Sequence, residues 1–221
     1  MKDAQARLRR WTRRARRRCL QWAFARLYHE FAWCYDLVAA LVSRGLWARW
    51  VVTALPHLHG ARVLELGSGT GYLQRALAQA GVWSVGLDEA WPMLRLAQRK
   101  VAHAGLSAWL LRGDARRLPF RDATFSDVVA TFPAPYILDP RTIADIRRVL
   151  RPGGRLVLVD GARLLRRDAY SAAIAAAYRA TGQTPADDPR PALLQQAGFA
   201  LEEHWERVGA SVVQILRATK I

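Results

Sequence analysis

Arg62-Val63-Leu64-Glu65-Leu66-Gly67-Ser68-Gly69-Thr70-Gly71-Tyr72 reads as a buried strand that stops in a glycine turn and runs at once into a helix. The first five residues are rich in leucine and valine, the three glycines follow two apart, and an amphipathic stretch begins at residue 73. Such a turn lets backbone approach a ligand closely, and the helix start offers unpaired N–H groups. A site for a nucleotide-like ligand is therefore expected here. Spacing narrows the ligand. Dinucleotide folds need G-x-G-x-x-G, with the third glycine packing helix on strand. Counted from Gly67, that third place is the bulky Tyr72, which disfavours a dinucleotide reductase.

The chain carries instead Glu-x-Gly-x-Gly-x-Gly at Glu65, Gly67, Gly69 and Gly71. This resembles motif I of the class I S-adenosylmethionine-dependent methyltransferases. The resemblance implies that the turn carries the methionine part of the cofactor, with the acid near its amino end. A carboxylate there also suits a ligand bearing an ammonium and a sulfonium better than a pyrophosphate.

Later segments keep the same order. Residues 82–88 read as a second strand ending in Asp88, 17 residues beyond Gly71, where an acid reaches the ribose hydroxyls of a nucleoside. A helix is expected to open at Pro92, for which Asp88 could also act as a cap. A third strand over 108–112 leads into Gly113-Asp114-Ala115-Arg116-Arg117-Leu118-Pro119-Phe120. The resemblance lays this segment against the adenine, with Asp114 accepting from its exocyclic amine. Residues 127–131 form a fourth strand. Asp139-Pro140 caps and starts a helix with Ile143, Ile146, Val149 and Leu150 at core spacing. Val149-Leu150-Arg151-Pro152-Gly153-Gly154-Arg155-Leu156 resembles the family's approach to its fifth strand, over 156–160, and residues 198–220 its closing antiparallel pair.

The resemblance covers about three quarters of the chain. It implies a Rossmann-like α/β fold: a seven-stranded, mostly parallel sheet with helices on both faces, its last strand antiparallel, behind an N-terminal helical extension. The expected cofactor-binding set is Glu65, Gly67, Ser68, Gly69, Gly71, Asp88, Glu89, Met93, Asp114, Ala115 and Thr131. The expected organisation is a basic arm over 1–21, a helical lid over 22–55, and the S-adenosylmethionine-binding domain over 56–221.

Two departures stand out. Where the family often has Phe-Asp at the fourth strand, Phe125 is followed by Ser126, and Asp127 comes one place later. The loop Thr131-Phe132-Pro133-Ala134-Pro135-Tyr136 puts Phe132 where nucleobase-amine methyltransferases carry a polar residue, and Ala134 splits the paired prolines. A nucleobase amine fits that loop poorly, so nucleic-acid methylation is the weaker alternative. A cofactor-binding regulatory module without turnover is a third reading, because Glu65, Asp88 and Asp114 bind rather than react.

Phe31-Ala32-Trp33-Cys34-Tyr35-Asp36, followed by Gly45-Leu46-Trp47, resembles the N-terminal helices of the ubiquinone/menaquinone C-methyltransferase branch. There these helices cover the cofactor and wall the acceptor pocket, which implies a small, apolar or lipid-like acceptor. A sulfonium methyl is already activated, so transfer needs an in-line nucleophile and little else. His29, Tyr35 and Tyr136 are the candidates to assist proton loss.

Net charge is +16, and half of it lies in residues 1–18. If helical, the arm sets Leu8, Trp11, Ala15, Cys19 and Trp22 beside an arginine face. Such a surface suits an anionic membrane, and less well nucleic acid. Three lysines, Lys2, Lys100 and Lys220, stand among 34 basic residues, a bias that can reflect coding-DNA composition rather than guanidinium chemistry. Arg26, His29, Glu30 and Asp36 interrupt the one apolar region, so no membrane span is expected. The expected location is the cytoplasm, with the arm available to the inner membrane surface. Two cysteines imply no disulfide framework. The scattered histidines imply no metal, and His57 and His59 read as solvated loop residues.

Overall fold

The computed structural model describes residues 34–165, 168 and 188–221. The arginine arm, His29 and the start of the lid lie outside the described residues. Two short helices come first, α1 (Tyr35–Ser43) and α2 (Trp47–Val52), joined by a left-handed pair at Arg44 and Gly45. Then β1 (Arg62–Leu66), α3 (Tyr72–Gln79), β2 (Trp83–Asp88), α4 (Trp91–His103) and β3 (Trp109–Arg112) alternate. They are followed by β4 (Phe125–Thr131), α5 (Pro140–Val149), β5 (Leu150–Leu164), α6 (Arg190–Gln196), β6 (Phe199–Val208) and β7 (Ser211–Lys220).

The strands form one seven-stranded sheet in the order β3-β2-β1-β4-β5-β7-β6. The β1–β2, β2–β3, β1–β4 and β4–β5 pairs are parallel, whereas β7 runs antiparallel to both β5 and β6. This is the expected Rossmann-like sheet with its last strand reversed. Order reverses between β1 and β4, and open α/β sheets bind ligands beyond the carboxyl ends of their strands at such a point.

Strand alternation divides the core between two faces. Leu64, Leu66, Val128, Ala130, Leu156 and Leu158 pack with Ile143 and Ile146 of α5 and Leu194 of α6. Val63, Val129, Val157 and Val159 pack with Leu73 and Leu77 of α3 and Trp50 of α2. The α5 start matches its reading: the Asp139 side chain accepts from the Arg141 N–H, and Pro140 occupies the first turn.

Some element boundaries differ from the sequence reading. β4 begins two residues earlier, at Phe125, and β5 runs from Leu150 to Leu164, because β7 supplies a long antiparallel partner. The Phe125-Ser126-Asp127 departure coincides with a register shift against β5. Ser126 Oγ accepts from the Arg62 N–H and donates to the Arg62 carbonyl, while Asp127 accepts from the backbone N–H of Gly60. His57 corrects the expectation of a solvated residue, whereas His59 is exposed as expected. His57 is buried with Nε2 2.8 Å from Glu206 Oε1, and His59 Nδ1 lies 3.0 Å from Asp127 Oδ1. Each ring has a carboxylate partner from a distant strand, which no local pattern signals. Among the described residues no single helix is long and apolar enough to cross a membrane, and no group of three His, Cys, Asp or Glu could hold a metal.

Candidate active site at the carboxyl ends of the parallel strands

Parallel pairing brings most of the expected binding residues to one edge of the sheet. Glu65 is the penultimate residue of β1, Asp88 ends β2, Thr131 ends β4, and Asp114 follows β3 by two residues. Between them lies the glycine turn. Gly67, Gly69 and Gly71 all have positive φ, and the N–H groups of Gly67 and Ser68 both donate to the Leu87 carbonyl, at 2.7 and 3.1 Å.

Two of these glycines are required by close approach. A Cβ at Gly67 would stand 2.8 Å from the Tyr136 hydroxyl, which donates to the Leu66 carbonyl at 3.0 Å. A Cβ at Gly71 would stand 2.8 Å from Cβ and 2.9 Å from Cα of Ala97 on α4. At Gly69 a Cβ would meet only the Gly67 carbonyl oxygen, at 4.0 Å. The turn is thus closely packed at its ends, against Tyr136 and Ala97, and open at its middle, as a cradle for a ligand requires.

Asp88 is tied into this turn. Its Oδ2 accepts from the Gly69 N–H at 2.8 Å, and its Oδ1 from the Ala90 N–H at 2.8 Å. The carboxylate therefore fastens the glycine turn to the end of β2, a role the sequence did not disclose. Asp88 does not cap α4 as expected: that helix begins at Trp91 behind Ala90, with no side-chain cap, and the Asp88 bond reaches only the Ala90 N–H.

Asp114 is paired with Arg116, whose Nε lies 2.8 Å from Oδ1 and whose backbone N–H also donates to it. That hydrogen bonding holds the Asp114 carboxyl below its ordinary range. An adenine amine reaching Asp114 must share it with a guanidinium. Ala115 is buried and Glu89 exposed, with the Glu89 carbonyl accepting from Arg112 Nε. Met93 is fully buried beside Ala90, in a small cluster against which Tyr35 packs.

Glu65 behaves differently from a simple surface acid. It alternates with Leu64 and Leu66 and so faces α3, where Gln74 Nε2 donates to Oε2 at 2.8 Å. Ser84 Oγ donates in turn to Gln74 Oε1, and Gly86 leaves the space that Gln74 fills. Burial pushes the Glu65 carboxyl up to about 8; the Gln74 bond opposes this shift, and the Asp88 charge adds to it. At neutral pH, with no cation beside it, Glu65 is the neutral acid. The charge argument against a pyrophosphate holds only once a cation arrives to ionise it.

A stability signature follows. An unfolded glutamate loses its proton near its ordinary value of 4.5, whereas folded Glu65 keeps it to about 8. Within that window the folded state binds the extra proton, so stability falls as pH rises and levels off above it. Urea denaturation at pH 5, 7 and 8.5 should show the wild type losing roughly 3 kcal/mol relative to Glu65→Gln. Parallel stabilities for the two proteins across this range would reject the buried-acid assignment.

The loop after β4 meets the N-terminal helices. Phe132 has φ +48°, a left-handed conformation rare for a bulky residue, and its N–H donates to the Val159 carbonyl at 2.6 Å. The strained backbone sets its ring 4.6 Å from that of Trp47 and 6.1 Å from that of Trp50. Tyr35 meets Trp47 edge-on at 6.3 Å. Among the expected catalytic residues, Tyr35 and Tyr136 thus stand on elements around the glycine turn and the β4 loop.

A second cluster escaped the sequence reading. Lys100, Asp36, Thr70 and Tyr72 meet directly behind the glycine turn. The available signal was the rarity of lysine in this chain.

Comparison with known proteins gives the family. The profile of a family described as a methyltransferase domain matches residues 63–154. A demethylmenaquinone methyltransferase of Clavibacter sepedonicus is 30% identical over 219 residues, covering 88% of this chain and 89% of that protein. Another, from Lactiplantibacillus plantarum, is 38% identical over 143 residues; the match takes in 61% of this chain and spans only 60% of that enzyme. In fold, the chain is similar to a crystal structure of an S-adenosylmethionine-dependent methyltransferase from Methanosarcina mazei. That likeness has a TM-score of 0.59 at 20% identity, over 76% of this chain and 96% of the other.

Proposed function

This chain belongs to the class I S-adenosylmethionine-dependent methyltransferases, and from that premise we propose that it methylates a small, flat, apolar ring of the quinol class. One observation carries the acceptor class: Phe132, held in a left-handed conformation at the end of β4, packs its ring tilted against Trp47, centroids 4.6 Å apart. Aromatic faces of this kind favour an aromatic ring and exclude water. The same loop offers no amide to a nucleobase, and relatives that match the chain are named demethylmenaquinone methyltransferases.

The glycine cradle and the strand-end carboxylates fit the cofactor by chemistry. S-adenosylmethionine supplies, when bound, an activated sulfonium methyl. The residues of this chain do the positioning. The open backbone at Gly69 accepts the methionine part, with Glu65 ionising towards its ammonium. Asp88 is assigned to the ribose and Asp114 to the adenine amine. Trp47 and Phe132 hold the acceptor ring in line, with reacting atoms about 3–3.5 Å apart. Tyr35 and Tyr136 are assigned to the acceptor's hydroxyl. Because Tyr136 donates to the Leu66 carbonyl, that tyrosine is suited to accepting a hydrogen bond from the acceptor. The arm over 1–21 is proposed to lie on an anionic membrane, where a lipid-dissolved acceptor resides.

The test is incubation with methyl-labelled S-adenosylmethionine and, in parallel, a reduced isoprenoid naphthoquinone, a polar-metabolite extract and total nucleic acid. Label is expected in the quinol. Label confined to nucleic acid or to polar metabolites would overturn the acceptor class.

A further inference from the structure

We infer that Lys100 is a positioning residue for the cofactor cradle: it locks Thr70 and the first helix together from behind the glycine turn. The geometry is specific. Thr70, between Gly69 and Gly71, is almost fully buried, and its hydroxyl donates to Asp36 Oδ1 at 2.6 Å. That same hydroxyl accepts from Lys100 Nζ at 3.0 Å, and Nζ also donates to Asp36 Oδ2 at 2.8 Å. The ammonium lies 3.4 Å from the centroid of the Tyr72 ring. A lysine ammonium has three N–H groups. Here a carboxylate, a hydroxyl and an aromatic face give all three a partner.

A guanidinium, broad and planar, cannot place a point charge at the meeting of these three groups. This accounts for a lysine where 34 basic residues include only three. Tyr72, the residue that spoils the dinucleotide pattern, is the platform on which the ammonium rests. The ion pair is partly shielded, with the Lys100 side chain 18% exposed and that of Asp36 39%. Burial lowers the Lys100 ammonium from its ordinary range, and the hydrogen bond and charge of Asp36 oppose that shift.

Two elements are fixed by this contact. The turn contains three residues with positive φ, and its middle is open, so its shape depends on bonds from outside, those of Asp88 and Thr70. Helix α1 carries Asp36 and, next to it, Tyr35, which packs edge-on to Trp47 in the proposed acceptor wall. A turn already held in its binding shape pays less ordering on ligand arrival.

The inference rests on the cofactor reading, so the experiment separates the two. S-adenosylmethionine is titrated calorimetrically into wild type, Lys100→Met and Asp36→Asn, with deuterium uptake followed for α1 and the glycine turn. Methionine keeps the contact with Tyr72 and removes the charge. The expected result is about tenfold weaker binding in both variants, with faster exchange confined to residues 35–43 and the turn. Wild type that fails to bind S-adenosylmethionine refutes the cofactor reading and the inference with it. Binding by wild type with equal affinity in Lys100→Met refutes the inference alone, as does faster exchange spread across the whole sheet. Lys100→Arg should fail to restore affinity, and full restoration would overturn the assignment to a compact ammonium.

Discussion

Replacing Asp88 with alanine is expected to abolish measurable cofactor binding while leaving a folded but weakened protein. Two N–H groups, the half-buried one of Gly69 and the buried one of Ala90, lose the carboxylate that accepts them, each at 2.8 Å. Hydrogen bonds to a charged group contribute about 1.5–3 kcal/mol apiece, but two on one carboxylate are not additive, so a loss of roughly 2–3 kcal/mol is expected. For a chain of this size that lowers Tm by roughly 5–10 °C. The assignment of Asp88 to a ribose diol adds an independent loss on binding, about 100-fold in affinity. Asp88→Asn keeps one acceptor and presents a donor where the second N–H points, so it should recover part of the stability and little of the affinity. Calorimetric titration of S-adenosylmethionine, well below both melting temperatures, reads the two effects separately. If Asp88→Ala melts lower yet binds as tightly as wild type, the carboxylate only holds the turn and the ribose assignment fails.

Gly71→Ala is expected to be the most destabilising methyl that can be added to the turn. At φ +82° a side chain costs about 1–2 kcal/mol, and the new Cβ would stand 2.8 Å and 2.9 Å from Cβ and Cα of Ala97. Backbone on a buried helix cannot rotate away as a side chain tip can, so overpacking adds about 1–3 kcal/mol. A total of roughly 2–5 kcal/mol follows, visible as a drop in the urea midpoint. Gly69→Ala makes the contrast. Its φ is also positive, but its Cβ would enter open space, where the methionine part of the cofactor is proposed to lie. The two variants should therefore cross: Gly71→Ala loses more stability, and Gly69→Ala loses affinity out of proportion to stability. Equal losses in both measurements would reject the distinction between a packed and an open face of the turn.

The strand ends were legible because they depend on local spacing. The leucine- and valine-rich run with Val63, Leu64 and Leu66 marks β1, the glycines mark where it stops, and the βαβ repeat places Asp88 on the neighbouring strand. The α5 cap at Asp139 was legible for the same reason, since its bond reaches only two residues onward, to Arg141. The state of Glu65 was hidden. Its carboxyl is pushed up by burial in the surrounding core, against the opposing Gln74 bond, and burial is a property of the assembled sheet. The partners of His57 and His59 were hidden likewise, because Glu206 and Asp127 arrive from distant strands.

By itself the chain pointed to its fold class and, through its resemblance to the methyltransferases, to its cofactor. The fold class follows from residue periodicity and from glycine and carboxylate spacings that any right-handed βαβ unit converts into adjacency; the cofactor follows from the family resemblance. Tertiary structure alone decided that Asp88 clamps Gly69, that Phe132 packs against Trp47, and that Lys100 binds Asp36 across a separation of 64 residues. Each of these is a contact between segments whose distance and orientation are set only once both faces of the sheet are packed.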